Sequence, residues 1–298
     1  MVKVFKSQKG MEKVRNSYNE LLKLWNTEYI EQEVETSFGS THCILAGNPK
    51  NPPLLLLHGV GDNSAVMWAL NIKELAKHFY CIAVDTLGGP GKSVPNERFN
   101  KQQFNQPAWI NEVADHYKLQ TFNIAGVSNG AVMAYNYAAR ESGRIARVVC
   151  MEGGMVIKPF KSILHTLGIM FPEILLPTDK NMHKIINKLC SPHSDAFEKN
   201  PQIADHIILL MKNHNQGAMF THKLEKYDKE AGRAVSGKIL FLFGDYRIEN
   251  RKEYLDLLTE GGFKYKVIKK AGHGVNHEQP DIVNEEIKSF LLNRQFVH

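Results

Sequence analysis

Short apolar runs recur along this chain, each followed by a helix-like stretch, and that alternation restricts the fold more than any other feature. Residues 54–57 are four consecutive leucines, the pattern of a strand buried on both faces. Residues 79–84, 122–127, 145–151, 238–243 and 263–268 read as strands too. Between and after them, residues 64–77, 102–118, 129–141, 249–260 and 280–292 carry helical patterns. Such alternation predicts an α/β fold, a mostly parallel twisted sheet with helices on both faces.

Two segments depart from the pattern. Apolar residues at 11, 14, 18, 21, 22 and 25 have helical spacing, so a helix precedes the sheet. Residues 30–37 and 41–46 then read as a hairpin joined at 38–40, with Gly39 marking the turn. Further on, residues 155–235 hold long helical patterns, several prolines and no strand. The expected organisation is a helical lead over 1–29, one α/β core from 30–154 and 236–298, and a helical insertion over 155–235. Within that insertion, Phe160, Leu164, Leu167, Met170 and Phe171 are expected to form its core, some of them lining an apolar acyl pocket.

Composition removes several function classes. Lys and Arg exceed Asp and Glu by 37 to 31, but the excess is scattered, so no nucleic-acid surface is expected. Cys43, Cys81, Cys150 and Cys190 form no C-x-x-C pair, and neither a disulfide framework nor a zinc site is readable. His206 and His214 are eight apart and no H-E-x-x-H occurs, so no metal is expected. The first ten residues lack the apolar core of a signal peptide, and no apolar run approaches ~18 residues. A soluble, cytoplasmic chain without a membrane span is the expectation, with the oligomeric state left open.

Three motifs carry chemistry. Gly126-Val127-Ser128-Asn129-Gly130 lies between a predicted strand and a predicted helix, as a nucleophile elbow requires. The turn is sharp, so the positions two before and two after Ser128 must be nearly free of side chain. The competing reading is a tight turn whose serine only caps the helix. His58-Gly59-Val60-Gly61 follows the leucine run, where a backbone N–H can face a developing oxyanion. Val60 is the expected first donor, with Gly61 as alternative, and Asn129 is the second. Ala271-Gly272-His273-Gly274 places a histidine between glycines after the last strand, free to act as general base on Ser128. His277, at the start of a helix, is expected to be exposed.

These motifs, with Asp85-x-x-Gly88 and Gly91-x-Ser93, resemble the α/β-hydrolase superfamily from residue 30 onward. Their order, serine before histidine, is that family's order. The hairpin at Gly39-x-Thr41-His42 and the helical lead look like a group of bacterial carboxylesterase-like members, in which the insertion forms a helical cap over the active site. The resemblance implies a serine hydrolase acting on a small acyl substrate, with no cofactor.

The triad acid departs from the family's common pattern. Its usual place, three residues after the glycine that ends the seventh strand, holds Arg247, with Asp245 and Glu249 as neighbours. Glu152 is preferred, because haloalkane dehalogenases and a related luciferase look similar around Met151-Glu152, and Asp245 is the alternative. Arg247 also motivates a second reading, a non-catalytic ligand-binding protein on the same fold. Carbon–carbon bond hydrolysis or perhydrolysis is a third. Gly91-Lys92-Ser93 lacks the first glycine of a P-loop, and Gly59-x-Gly61 with Asp85 lacks the third of a dinucleotide fingerprint.

Overall fold

The computed structural model describes residues 2–292, without the side chains of residues 160–163, 165, 166 and 250. Among them nine strands form one sheet. They are β1 (Tyr29–Thr36), β2 (Gly39–Ala46), β3 (Pro53–Leu57), β4 (Tyr80–Val84), β5 (Val94–Pro95), β6 (Phe122–Val127), β7 (Ile145–Met151), β8 (Ile239–Gly244) and β9 (Lys264–Ile268). Their order is β1-β2-β4-β3-β6-β7-β8-β9, with β5 paired to β2. The pairings among β3, β4 and β6 to β9 are all parallel, while β1 and β2 form an antiparallel edge.

The leucine run explains the layering. Leu54 and Leu56 enter one core and Leu55 and Leu57 the other, because successive side chains in a strand point to opposite faces. Each buried leucine contributes about 2 kcal/mol of apolar transfer. Helix Gln8–Leu22 closes the first core with Val14, Tyr18, Leu21 and Leu22, and Trp25 follows on a 3-10 turn. Ser7 caps this helix, its Oγ accepting the Gly10 N–H at 3.0 Å.

Local expectations shift in two places. The hairpin pairs Thr36 with Gly39, so the turn is Ser37-Phe38 and Gly39 opens β2. Glycine is needed there because φ is +135° and a β-carbon would stand 2.3 Å from the Val94 carbonyl oxygen of β5. The helix expected over 64–77 is broken into Ser64–Met67 and Ile72–Leu75. Between them Asn71 is fully buried and donates to Asn276 O and Asn284 Oδ1, a tertiary demand that local periodicity does not encode.

Between β7 and β8 the described chain forms only helices and turns, apart from a single bridge from His214 to Phe5. Helices Asp179–Leu189 and Pro201–Asn213 share a small core of Met182, Ile185, Ile186, Ala204 and Ile208. Met170 packs on it, but Leu164, Leu167 and Phe171 are each more than half exposed, contrary to the expectation that they are core. Leu164 and Leu167 lie on helix Pro159–Met170, and Phe171 follows it directly. Phe160 lies outside the described side chains. Helix Pro201–Asn213 instead docks on the N-terminal helix, where His206 Nδ1 meets Ser17 Oγ at 2.7 Å. Among the described residues no helix is long and apolar enough to cross a membrane, and no cluster of three His, Cys, Asp or Glu could hold a metal ion.

Candidate active site

Ser128 follows β6 directly, and helix Asn129–Arg140 starts at the next residue. Its backbone is held at φ 54°, ψ −115°, a strained conformation worth about 1–3 kcal/mol. The flanking glycines are obligatory. A β-carbon on Gly126 would lie 2.2 Å from Gly130 O, and one on Gly130 would lie 2.2 Å from Leu57 O. The Ser128 hydroxyl makes no helix-capping bond, which removes the capping reading. The Ser128 N–H donates to Met151 O at 2.8 Å, so the β6–β7 ladder sets Ser128 beside the residue after Met151.

That residue is Glu152, buried at the tip of β7 and also at positive φ, +55°. Its N–H donates to Leu242 O at 3.0 Å, extending the ladder to β8. Oε1 accepts the Gly244 N–H at 2.6 Å. Oε2 lies 3.5 Å from His273 Nδ1 and is ion-paired with the Arg251 guanidinium. Burial would raise the pKa of this carboxyl, but the Arg251 charge, His273 and the Gly244 N–H outweigh it and hold it below the usual range. Arg251 is itself placed over the Phe243 ring, 5.1 Å from its centre.

Of the two carboxylates proposed from sequence, the structure sets Glu152 at His273 and turns Asp245 elsewhere. Asp245 Oδ1 accepts the Ala271 N–H at 3.3 Å, tying β8 to the histidine loop through backbone. Glu249 is exposed. Arg247, at a left-handed φ of 60°, lies over the Tyr246 ring.

The His273 loop is held from below by Glu278. Oε1 accepts the N–H groups of Gly272 and Gly274 at 2.9 and 3.1 Å, and Oε2 accepts the Ser191 N–H at 2.7 Å. The His273 N–H donates to Leu189 O at 2.8 Å, so the end of helix Asp179–Leu189 is fastened to the same loop. His277 is not exposed as expected. It is 5% exposed, its Nε2 bonds Val66 O at 2.9 Å, and burial lowers its pKa. The short helix Val275–Glu278 turns inward because Val275 and Asn276 are also buried.

The loop after β3 is fixed by His58. Nδ1–H donates to Gly59 O and Nε2 accepts the Thr86 N–H, both at 2.9 Å, which defines the tautomer. Burial lowers the His58 pKa, so the ring stays neutral. A β-carbon on Gly59 would stand 3.3 Å from Ser128 Cβ, so this loop runs against the serine. Val60 follows with a 44% exposed side chain. Asn129 opens its helix, where first-turn N–H groups have no intrahelical acceptor. Asp62 also turns back to this place, its Oδ2 3.2 Å from the same Gly59 β-carbon position. Burial pushes its carboxyl up to about 7, against the opposing pull of His273.

Asp85 and its glycines serve architecture. The Asp85 carboxylate accepts the Ser64 and Lys92 N–H groups, both at 2.8 Å, and the Tyr18 hydroxyl at 3.0 Å. Gly91 is needed because a β-carbon would lie 2.2 Å from that carboxylate. The Lys92 N–H is thus committed to Asp85, as neither a P-loop nor a dinucleotide site would have it.

Sequence reasoning missed Arg251, Glu278 and Asp62. Arg247 stands at the usual acid position, but the cation paired with Glu152 is Arg251, at the other end of the same turn. Glu278 and Asp62 had no signal, because neither backbone donors nor loop curvature are visible in residue type.

Comparison with known proteins agrees with this architecture. The α/β hydrolase fold family model matches residues 52–196. Carboxylesterase YbfK of Bacillus subtilis (strain 168) is 28% identical over 284 residues, covering 92% of each chain. The uncharacterized carboxylesterase nap of the same organism is 26% identical, covering 92% of this chain and 91% of its own. The crystal structure of naproxen esterase (carboxylesterase NP) from Bacillus subtilis superposes with a TM-score of 0.80 at 24% identity, over 96% of this chain and 99% of that one. With a family model matching residues 52–196 and relatives matching nearly its whole length, this chain has the α/β-hydrolase fold and is similar to bacterial carboxylesterases.

Proposed function

We propose that this protein is a serine hydrolase that cleaves a small-molecule carboxylic ester through Ser128, His273 and Glu152. The observation that carries the reading is the buried Glu152 carboxylate 3.5 Å from His273 Nδ1, on the strand tip next to the strained Ser128. Relatives named carboxylesterases over almost the full chain support the same chemistry.

In this scheme Ser128 Oγ attacks the ester carbonyl carbon while His273 takes its proton. The carbonyl π electrons move to oxygen, and the N–H groups of Val60 and Asn129 hold that oxyanion. Glu152 orients the imidazole through Nδ1–H and stabilises the imidazolium. His273 returns the proton to the departing alcohol. Water, deprotonated by His273, then attacks the acyl-enzyme and releases the acid. The helical insertion, fastened at Leu189 to the His273 loop, serves as a cap over this cleft. The free cysteines, three of them buried, fit a reducing, cytoplasmic setting. Non-catalytic binding loses its motive, since Glu152 supplies the carboxylate that Arg247 does not.

Hydrolysis of p-nitrophenyl acyl esters tests the reading. Wild type is expected to turn over, and Ser128→Ala and His273→Ala to lose at least about 10³ in kcat. Equal rates in all three proteins would reject the assignment.

A further inference from the structure

Asp62 has no task in the acyl-transfer scheme, yet it borders the same cleft. Its Oδ2 and Ser128 Cβ lie 3.2 and 3.3 Å from one point, the place a β-carbon on Gly59 would occupy. The two groups therefore face the same small space above Gly59. Among the described residues no N–H or O–H donor bonds the Asp62 carboxylate, whereas Glu152 has Gly244 and Arg251. On the residue after the serine, Asn129 Nδ2 is buried without a hydrogen-bond partner. A half-buried carboxylate without protein donors is disfavoured in its ionised form, and a ligand that brings a positive charge relieves that cost.

We propose that Asp62 is a specificity-determining residue that receives a cationic amine or ammonium group carried by the substrate next to its scissile ester. The inference rests on the ester-hydrolase reading. It sets the substrate class: esters with a positive charge a few bonds from the carbonyl are preferred over neutral esters of the same shape.

Butyrylcholine and its uncharged isostere, 3,3-dimethylbutyl butyrate, test this directly. The ratio of kcat/KM for the cationic over the neutral ester is expected to exceed one in wild type. It should fall by about tenfold in Asp62→Asn, whatever the absolute rates, because the change removes one charge contact. Asp62→Glu, which keeps the charge, should retain the preference. A ratio that is the same in wild type and Asp62→Asn would overturn the proposal, including the case where both esters slow equally because Asp62 acts through His273. Calorimetric binding of choline and 3,3-dimethylbutanol to Ser128→Ala protein keeps the two readings apart. A preference for choline that is lost on adding Asp62→Asn supports the cation site even if no ester is turned over. Equal binding of the two alcohols refutes it.

Discussion

Arg251 and His273 converge on a single oxygen, Oε2 of Glu152, from different elements of the fold. Arg251 comes from the 3-10 turn after β8, and His273 from the loop after β9. The turn that begins at Arg247 thus supplies, at its far end, the cation that neutralises Glu152. Glu152 can stay ionised in a buried place because this cation and the Gly244 N–H are already there.

Glu152→Gln should lower kcat by on the order of 10²–10⁴ with little change in KM, since the imidazole loses its orienting anion. Asp245→Asn should change kcat by less than about threefold, because among the described residues its carboxylate accepts only the Ala271 N–H. Steady-state kinetics of both variants on one ester checks the pair, and the reverse ranking would move the acid to Asp245.

Arg251→Met should displace the acid limb of the kcat/KM profile upward. The folded pKa of Glu152 lies below the unfolded value of about 4.3. Its ionisation therefore stabilises the fold above that pH, and the contribution is lost as pH falls through the folded pKa. Without Arg251 the carboxylate protonates at higher pH, so both activity and stability should fail earlier on acidification. A pH–rate profile with a parallel melting series reads this, and an unmoved acid limb would count against it.

Glu278→Ala should cost about 2–4 kcal/mol, since it strips buried acceptors from the N–H groups of Gly272, Gly274 and Ser191. Activity should fall further than stability alone explains, because the His273 loop loses its anchor. Denaturant unfolding and single-turnover acylation of the folded fraction measure the two effects separately.

Gly130→Ala should cost about 3 kcal/mol or more and yield little folded protein, because the new methyl would stand 2.2 Å from Leu57 O. Gly143→Ala, where nothing lies within 4 Å of the new atom, is the matched control and should fold normally. Circular dichroism melts of the two variants decide it.

Much of this molecule is legible in residue types alone. The leucine run and the later apolar runs announce a buried parallel sheet, and Gly126, Ser128 and Gly130 announce the elbow through sterics that only glycine satisfies. His273 is readable because a histidine between glycines has no packing role. What escaped depends on partners distant in sequence. Asn71 breaks a helix to reach Asn276 and Asn284, and His277 is drawn inward by the Val66 carbonyl. Leu164, Leu167 and Phe171 look like core by composition but face outward, since the sheet's cores are already closed by other helices. Glu152 is preferred over Asp245 through a family resemblance, whereas its partners Arg251 and Gly244 lie too far along the chain to be read from sequence.

Intact mass after exposure to a fluorophosphonate tests the central claim most directly, because the probe reports an activated serine without knowledge of the substrate. A single adduct on wild type that is absent from Ser128→Ala is the predicted result. No adduct on folded wild type, or one that persists in Ser128→Ala, would contradict the account.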